Sequence, residues 1–278
     1  MVKALAHDMA ARAREAHGML RSCCLCARRC GVNRLRGEHG YCGLDGRAYV
    51  FREMVHYGVE LDLVPAHALY VAGCNMSCVF CTARQWNAAP EAADAWNTRS
   101  LKARVAERRT EGARTLFFVG GEPTVSLPAI FDLLAVLPEA PTVVWDSNMY
   151  MSQEARGILE GAVDVYVADF KFGNNRCALE VADAPDYAET VVGNLMFAER
   201  TASLIVRHLV LPGHFDCCFL RVVELLRSAL EAPRLALRGE YMPPAGLPAG
   251  APLGRYVAEE EFNRARSAAQ AMGVQLVD

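Results

Sequence analysis

The sequence predicts an α/β fold built on a parallel sheet and preceded by a cysteine-rich knuckle. Three observations support this. From residue 67 onward, short apolar runs alternate with stretches of helical periodicity, as repeated strand–helix units do. Eight of the eleven cysteines lie before residue 82, so the cysteine-rich part precedes most of the sheet. The 278 residues suffice for one main domain with a large core.

The N-terminal part begins with a predicted helix. The segment from Lys3 to about Arg21 carries apolar residues at helical intervals, which is typical of an amphipathic helix. Between Cys23 and Cys42, glycine, arginine and cysteine dominate without periodicity, so we expect a compact knuckle of loops that something other than an apolar core holds together. Residues 1–60 are therefore predicted to form the N-terminal helix and knuckle, and residues 61–278 the sheet domain.

The sheet domain contains about six predicted strand–helix units. This number is too small for a complete eight-stranded barrel, but it fits a partial (β/α)6 TIM-like barrel or a doubly wound sheet. The predicted strands are Ala68–Ala72, Thr115–Val119, Thr142–Trp145, Asp164–Ala168, Leu204–Leu211 and Leu235–Glu240. The predicted helices are Leu101–Glu111, Ile130–Leu137, Gln153–Glu160, Asp186–Arg200 and Leu220–Leu230. A proline- and glycine-rich linker, Pro243 to Gly254, then leads to a helix over Glu259–Met272 and a last strand over Val274–Val277.

Charge and hydropathy exclude several classes of partner. With 29 basic and 32 acidic residues the net charge is -3, which gives no broad case for nucleic acid or an anionic membrane. No apolar run reaches the roughly 18 residues of a membrane span, and the N-terminus lacks a signal-peptide core. We therefore expect a cytoplasmic protein, where clustered cysteines are metal or cluster ligands. The remaining cysteines, Cys177, Cys217 and Cys218, show no such spacing and are expected to pack or to be exposed thiols.

Three thiols follow the first predicted strand in the run GCNMSCVFC. Cys74, Cys78 and Cys81 have the spacing CxxxCxxC. Because a [4Fe–4S] cluster normally takes four thiolates, a loop that offers three predicts a cluster whose remaining iron binds a substrate or cofactor. The alternatives are buried small side chains or half of a zinc site, but zinc sites usually pair two short cysteine hooks.

Polar residues follow the next predicted strands, where parallel α/β folds collect their reactive groups. Glycines there allow close backbone approach and leave amides and carbonyls for a ligand, and a carboxylate can take an ammonium group. By themselves these residues would also fit turns, helix caps and solvated loops. The residues are Gly120, Gly121, Glu122 and Pro123 after the second strand, Asp146, Ser147 and Asn148 after the third, and Asp169 and Lys171 after the fourth.

Arg207 lies on the fifth predicted strand, in VRHLVLPGH. Its fixed guanidinium can hold a carboxylate bidentately, which makes it a candidate catalytic residue. His208 follows it directly and should point to the opposite face of the sheet, where it would be a packed or surface histidine.

The knuckle supplies enough thiols for a metal centre of its own. Cys23, Cys26, Cys30 and Cys42, with Cys24 as a spare, can complete a tetrahedral zinc site or a second iron–sulfur cluster. The iron–sulfur context slightly favours the second cluster, with structural zinc as the close alternative.

Together these motifs resemble a known superfamily. The strings CxLCxxxCGVNRxxGxxGxC, GCNxxCVFC, VDVYVADFKFG, APDY and RHLVLPG, spread over residues 23 to 215, resemble radical S-adenosylmethionine (SAM) enzymes, and within them homologues of pyruvate formate-lyase activating enzymes. The resemblance implies a partial barrel in which SAM chelates the open iron through its amino and carboxylate groups. An injected electron would split SAM into methionine and a 5′-deoxyadenosyl radical, which removes hydrogen from a protein, peptide or small molecule. Flavodoxin or ferredoxin would donate the electron.

The resemblance also implies roles for the candidate site residues. Phe80 would lie against the adenine, and the GGEP run Gly120–Pro123 would bind the methionine amino group. Asp146 and Ser147, in the same segment as Asn148, would gather with Asp169 around the SAM carboxylate. A monovalent cation held by the two aspartates is a further possibility, since hard oxygen ligands suit such an ion. Lys171 would contact the ribose or the carboxylate.

Three departures from the activating enzymes leave the substrate open. Thr82-Ala83-Arg84 stands where those enzymes have a His-Asn-Pro-like turn, Tyr241-Met242-Pro243-Pro244 lacks their late histidine, and the cysteine knuckle precedes the barrel. Hydrogen abstraction from an unidentified substrate is therefore the leading hypothesis, and glycyl-radical installation is one alternative. Another is a metal-stabilised binding or adaptor protein without SAM turnover, and a third is zinc in every cysteine site.

Overall fold

The computed structural model describes residues 6–58, 61–247 and 250–277. These residues contain one sheet of nine strands in the order β3-β1-β2-β4-β5-β6-β7-β8-β9. From β2 onward the neighbours pair in parallel, whereas β1 pairs antiparallel with both β2 and β3. The strands are β1 Tyr49–His56, β2 Ala66–Val71, β3 Asp94–Ala95, β4 Thr115–Gly120, β5 Thr142–Ser147, β6 Val165–Asp169, β7 Ser203–Leu209, β8 Arg234–Arg238 and β9 Gln275–Val277.

The helices alternate with the parallel strands, which confirms the predicted partial barrel with a cysteine-rich region before it. Each of the six predicted strands has its counterpart, in β2 and β4 to β8, within a few residues of the expected bounds. The helices are α1 Ala6–Met19, α2 Arg84–Ala88, α3 Thr98–Thr110, α4 Leu127–Val136, α5 Gln153–Leu159, α6 Asn175–Ala182, α7 Tyr187–Thr201, α8 Leu220–Ala229 and α9 Glu259–Ala271. Among the described residues, none of these helices is long and apolar enough to cross a membrane.

The sequence did not predict β1, β3, α2 or α6. The short α2 and α6 span five and eight residues, too few for a helical repeat to stand out. Strand β1 falls in the segment 1–60 but pairs with β2, so the sheet extends into the part expected to hold only the helix and knuckle.

Two faces of the sheet bury different side chains, because successive residues of a strand point to opposite sides. One face, which we call the inner face, packs a small core of its own, in which Phe117, Val144, Val167, Ile205 and Ala236 lie side by side. The opposite face packs against the helices and contains the larger core, including Leu116, Phe118, Trp145, Ala168 and Val206. Side chains two residues beyond Val144, Val167 and Ile205 therefore belong to the inner face, at the carboxyl ends of the strands.

The N-terminal helix is confirmed over Ala6–Met19, while the predicted residues Lys3 to Leu5 lie outside the described residues. Helix α1 packs against α4, with Ala13 and Ala16 buried in the contact layer. Arg12 donates to the carbonyl of Ile158 at 2.7 Å, and His17 pairs with Asp132 at 2.8 Å. Small residues at this contact let the two helices approach closely.

Candidate functional site

The cysteine loop directly after β2 is held by backbone hydrogen bonds to α6. The amides of Ser77 and Val79 donate to the carbonyls of Ala182 and Val181, both at 2.9 Å. Within the loop, the amide of Cys81 donates to the carbonyl of Cys78 at 3.1 Å. The end of α6 therefore fixes the conformation in which the loop presents its thiols.

The three thiols of this loop lie close to one another and are partly buried. Burial raises the pKa of Cys78 to about 12, although Lys171 opposes the shift. Burial and the neighbouring Cys78 raise the pKa of Cys74 well above its ordinary value. Thiolates packed together need a cationic centre between them, and a set of three thiolates fits a [4Fe–4S] cluster with one iron left for another ligand.

Two asparagines donate towards these thiols. The side-chain amide of Asn148 lies 3.8 Å from the Cys74 sulfur, and that of Asn87 lies 3.4 Å from the Cys81 sulfur. Such donors stabilise thiolate ligands and help to fix their orientation.

A row of charged side chains faces the thiols from the inner face of the sheet. Arg207 on β7 donates through Nε to Asp169 at 2.9 Å and through a terminal nitrogen to Asp146. Lys171 contacts the other oxygen of Asp169. Burial disfavours ionisation of Asp169, but Arg207 and Lys171 outweigh it and hold the pKa of this carboxyl below its ordinary range.

The predicted approach of Asp146 to Asp169 is therefore found, with Arg207 between them. The guanidinium occupies the place where a monovalent cation was expected. Because Asp169 and Arg207 are direct neighbours in the β6–β7 register, the parallel ladder itself brings the two side chains together.

Ser147 does not join this row, contrary to the expected grouping with the two aspartates. It follows Asp146 in β5 and thus points to the other face, where its hydroxyl donates to Glu122 at 2.8 Å. The amide of Asn148 donates to the second oxygen of Glu122 at 2.9 Å. The polar residues at the end of β5 therefore have different partners: Asp146 belongs to the charged row, and Ser147 contacts Glu122.

Glu122 is a buried brace in this structure. Its carboxylate is fully buried and also accepts hydrogen bonds from the amide and hydroxyl of Thr124, at 3.1 and 2.6 Å. Burial raises the pKa of Glu122, and these four donors oppose the shift. In the structure this carboxylate connects the ends of β4 and β5. The binding of a methionine amino group by the GGEP run stays a prediction.

The two glycines of the GGEP run allow the chain to pass close to β2. A Cβ on Gly120, whose φ is +123°, would lie 2.5 Å from the Val71 backbone, and one on Gly121 would lie 2.1 Å from the Gly73 carbonyl oxygen. The amides of Gly121 and Glu122 donate to the carbonyls of Val71 and Gly73, at 2.7 and 3.0 Å. These two amides are thus engaged and not free for a ligand, and the run fixes the residue before Cys74.

Phe80 lies deep in the core. Its ring packs at 6.4 Å from Phe172 and edge-on at 5.7 Å from Tyr241, and 9% of the residue is exposed. Tyr241 follows β8, in the segment that lacks the late histidine. The proposed contact of Phe80 with adenine stays a prediction, and it would use the small exposed part of the ring.

Sequence reasoning missed Asn75, Asn87 and Tyr187. Asn75 is fully buried and connects the carbonyl of Tyr150 with the side chain of Asn148, each at 2.8 Å. The Tyr187 hydroxyl accepts from the Lys171 amide at 3.0 Å and donates to the Asp169 carbonyl at 3.2 Å. The string APDY, which ends in Tyr187, supported the resemblance without indicating this role.

Cys23, Cys30 and Cys42 all lie near Cys26 in the knuckle. The pKa of Cys26 is raised to about 12 by burial, and Cys42, Cys30 and Cys23 add to the shift. The sulfur atoms of Cys26 and Cys42 accept hydrogen bonds from backbone amides two residues further on. Burial raises the pKa of Cys24, and the neighbouring Glu154 and Cys23 add to the shift.

The knuckle packs directly on the cysteine loop. Arg28 donates to the Asn75 carbonyl at 2.9 Å and lies 3.6 Å from the centre of the Tyr41 ring. A Cβ on Gly73 would lie 2.9 Å from the Cys42 carbonyl oxygen, so only glycine fits there without a shift. Arg28 and Cys42 therefore connect the knuckle to the loop of Cys74 by direct contact.

Comparison with known proteins identifies the superfamily. The sequence pattern of the radical SAM superfamily matches residues 69–226, more than half of the chain. The chain belongs to the radical SAM superfamily. An uncharacterized protein of Methanocaldococcus jannaschii, MJ0674, is 31% identical over 270 residues, which cover 94% of this chain and 78% of that protein.

Solved structures of radical SAM proteins share the fold. SuiB of Streptococcus suis, bound to S-adenosylmethionine, matches with a TM-score of 0.51 and 10% identity over 73% of this chain and 47% of SuiB. A radical SAM methyltransferase from Sphaerobacter thermophilus matches with a TM-score of 0.53 and 16% identity over 77% of this chain and 66% of that chain. The chain thus spans about half the length of SuiB. At these identities the similarity concerns the fold alone.

Proposed function

We propose that this radical SAM protein is an enzyme that holds a [4Fe–4S] cluster on Cys74, Cys78 and Cys81 and removes a hydrogen atom from a substrate. The cluster, with SAM on its open iron, would supply the 5′-deoxyadenosyl radical. The observation that carries the proposal is the position of three partly buried, mutually adjacent thiols beside the charged row of Asp169 and Lys171.

The charged row is suited to an amino acid zwitterion. Asp146 and Asp169 offer carboxylate oxygens to an ammonium group, while Arg207 and Lys171 offer donors to a carboxylate. We propose that the methionine part of SAM binds along this row. The ion pairs of Arg207 and Lys171 with the two aspartates would break in part when the methionine part binds. Each of these side chains would then have a partner of opposite charge both before and after binding.

Glu122, Asn75 and Asn148 act as positioning residues in this proposal. Glu122 connects the ends of β4 and β5, and Asn148 extends that connection to Asn75 and to the Cys74 sulfur. The GGEP run would thus hold the cysteine loop at a fixed distance from the ends of the strands. The contacts to SAM would come from the charged row on the inner face of the sheet.

The knuckle would hold a second centre on Cys23, Cys26, Cys30 and Cys42. Four thiols with backbone N–H donors suit either an iron–sulfur cluster or zinc. We propose a cluster, because the knuckle lies against the loop of Cys74, where a second redox centre could pass electrons. Iron analysis of Cys26→Ser tests this, with Cys24→Ser as the matched control. If the Cys26→Ser variant loses zinc instead of iron, the knuckle centre is a structural zinc site and not a second cluster.

The substrate class rests on resemblance. The strings shared with homologues of pyruvate formate-lyase activating enzymes favour a protein or peptide substrate, and glycyl-radical installation is the specific form of that idea. SuiB, which shares only the fold, has been solved with its precursor peptide SuiA. Flavodoxin or ferredoxin would be the electron donor, in the cytoplasm. Transfer of deuterium from candidate substrates into 5′-deoxyadenosine would identify the hydrogen that is removed.

Cleavage of SAM tests the proposal itself. Protein reconstituted anaerobically with iron and sulfide, then given SAM and dithionite, should yield 5′-deoxyadenosine and methionine. Cys78→Ala should abolish the yield, and Cys24→Ala, a thiol beside Glu154, should keep it. A fully loaded cluster that cleaves no SAM would refute enzymatic function and favour a metal-stabilised binding protein, which would bind its partner without SAM.

A further inference from the structure

Three cysteines for which the sequence indicated no role lie together outside the site described above. In the part of the chain that the structure describes, the ligand atoms of Cys177, His214, Cys217 and Cys218 all lie within 4.8 Å of one another. The Nδ1 atom of His214 is 3.4 Å from the Cys217 sulfur and 3.8 Å from the Cys218 sulfur. Cys177 and Cys218 are buried and Cys217 is an exposed thiol, as expected, but the sequence did not indicate that they lie together.

Two loops at the carboxyl edge of the sheet build this cluster. Cys177 lies in the first turn of α6, where its amide donates to the Asn174 side chain at 2.8 Å. The other three residues belong to the segment before α8, which has a π-helical turn over Phe215–Phe219. The amide of Phe219 donates to the His214 carbonyl at 3.1 Å, so the widened turn places His214 beside two consecutive cysteines.

The two loops meet because Gly173 has no side chain. A Cβ there would lie 2.5 Å from the Cys218 carbonyl oxygen and 2.5 Å from the Arg221 Cβ atom. Asn174 joins the loops from the other direction, since its side-chain amide donates to the Cys217 carbonyl at 2.5 Å and lies 3.7 Å from the Cys218 sulfur. This amide would support a sulfur ligand from outside the coordination shell.

The spacing suits one tetrahedral ion. With Zn–S distances of about 2.3 Å, neighbouring ligands of tetrahedral zinc are about 3.8 Å apart, close to the distances seen here. Three sulfurs and one imidazole nitrogen are a ligand set that favours zinc. Cys177 and Cys218 are buried, whereas Cys217 is exposed and His214 is half-buried, so an ion can enter from solvent.

We propose that Cys177, His214, Cys217 and Cys218 form a structural Zn²⁺ site. All four positions are protein ligands, which is typical of closed structural sites. The ion would connect α6, whose end holds the cysteine loop, to the segment that follows Arg207 on β7. The site would thereby fix two sides of the proposed SAM pocket without taking part in its chemistry.

The test uses the full chain, loaded with iron and then incubated with zinc chloride and passed through a desalting column. Metal analysis should show that His214→Ala and Cys217→Ser each lose about one zinc per chain relative to the wild type, while the iron content stays the same. These two residues reach solvent, so the variants should fold. His17→Ala and Cys24→Ser, a histidine and a cysteine outside the cluster, are the matched controls and should keep the zinc.

A crystal of the zinc-treated protein provides the second measurement. Anomalous scattering at the zinc edge should give a peak between α6 and the segment His214 to Cys218. No peak at saturating zinc, unchanged zinc content in both variants, or a disulfide between Cys177 and either neighbouring cysteine in the freshly purified protein would each overturn the proposal.

Discussion

Replacing Glu122 by alanine should separate a buried brace from a ligand-binding carboxylate. In the structure the side chain accepts from two amides, those of Thr124 and Asn148, and from two hydroxyls, those of Thr124 and Ser147. Alanine would remove all four acceptor contacts at once. The ends of β4 and β5 would lose their connection, and Asn148 would lose its fixed position beside Cys74.

The expected loss of stability follows from those four donors. The hydroxyls of Thr124 and Ser147 can rotate towards other acceptors, whereas the two amides cannot and are left buried. An unsatisfied buried donor costs about 1–3 kcal/mol, so the two amides together cost about 4 kcal/mol. For a chain of this size that is a fall in Tm of about 7 °C. Burial of the Glu122 carboxylate is itself unfavourable, as its raised pKa shows. Removing it would therefore make the net loss of stability smaller.

Thermal unfolding of anaerobically purified protein, with and without the cluster, measures the effect. Glu91→Ala, an exposed glutamate, is the matched control and should leave Tm within about 2 °C of the wild type. Glu122→Gln keeps an acceptor for Thr124 and should retain more stability than alanine. An unchanged Tm in Glu122→Ala, or a Gln variant of full stability that loses SAM binding, would refute the brace and favour direct contact with the ligand.

Three further predictions follow from named contacts. Arg207→Ala should weaken SAM binding at least about tenfold and destabilise the fold by about 3 kcal/mol, because Asp146 and Asp169 lose their shared partner; a calorimetric titration that shows wild-type affinity would contradict the row as the binding site. Burial lowers the pKa of His208 to about 4 in the folded protein. As the pH falls below about 6.5, this histidine therefore becomes protonated in the unfolded state while it stays neutral in the folded state. The free energy of unfolding should therefore drop by about 2 kcal/mol more in the wild type than in His208→Asn between pH 7.5 and pH 5, and equal drops in urea titrations would contradict this. Arg28→Ala should lower stability by about 3 kcal/mol and speed the loss of iron from the loop of Cys74, while Arg36→Ala, an exposed knuckle arginine, should change neither; equal iron retention in both variants would argue against coupling through Asn75.

The parallel strands could be predicted because both of their faces are buried. Such strands give continuous apolar runs, as in Thr115–Gly120 and Val165–Asp169, and the intervening helices are long enough to show their period. Strand β1 lies towards the edge of the sheet and mixes polar with apolar residues, so no such run marks it. The short α2 and α6 are fixed by tertiary contacts, of which the sequence pattern carries no trace.

Part of the site could be predicted from the rule that parallel α/β folds collect their reactive groups at the carboxyl ends of the strands. That rule placed Asp146, Asp169 and Arg207 at one edge of the sheet. The alternation of side chains placed His208 on the opposite face, where its Nδ1–H donates to the Phe170 carbonyl at 2.8 Å. The same alternation places Ser147 and Asp146 on opposite faces of the sheet. The family resemblance had instead implied that both lie around the SAM carboxylate.

The burial of Glu122 and the Cys177–His214 cluster could not be predicted in this way. The first depends on donors from two loops that meet only in the folded chain. The second brings together residues that are 37 positions apart in the sequence, through a π-helical turn and the close approach at Gly173. Neither feature leaves a spacing that can be read from the chain.

The proposed cluster on Cys74, Cys78 and Cys81 would have one iron open to SAM. The most direct measurement is the EPR spectrum of the reduced, iron-loaded protein before and after addition of SAM, recorded as the difference between the wild type and Cys78→Ala so that any centre in the knuckle cancels. If SAM binds the open iron of a cluster on these thiols, the difference spectrum should change when SAM is added. A difference spectrum that SAM leaves unchanged, from a fully loaded cluster, would contradict this proposal.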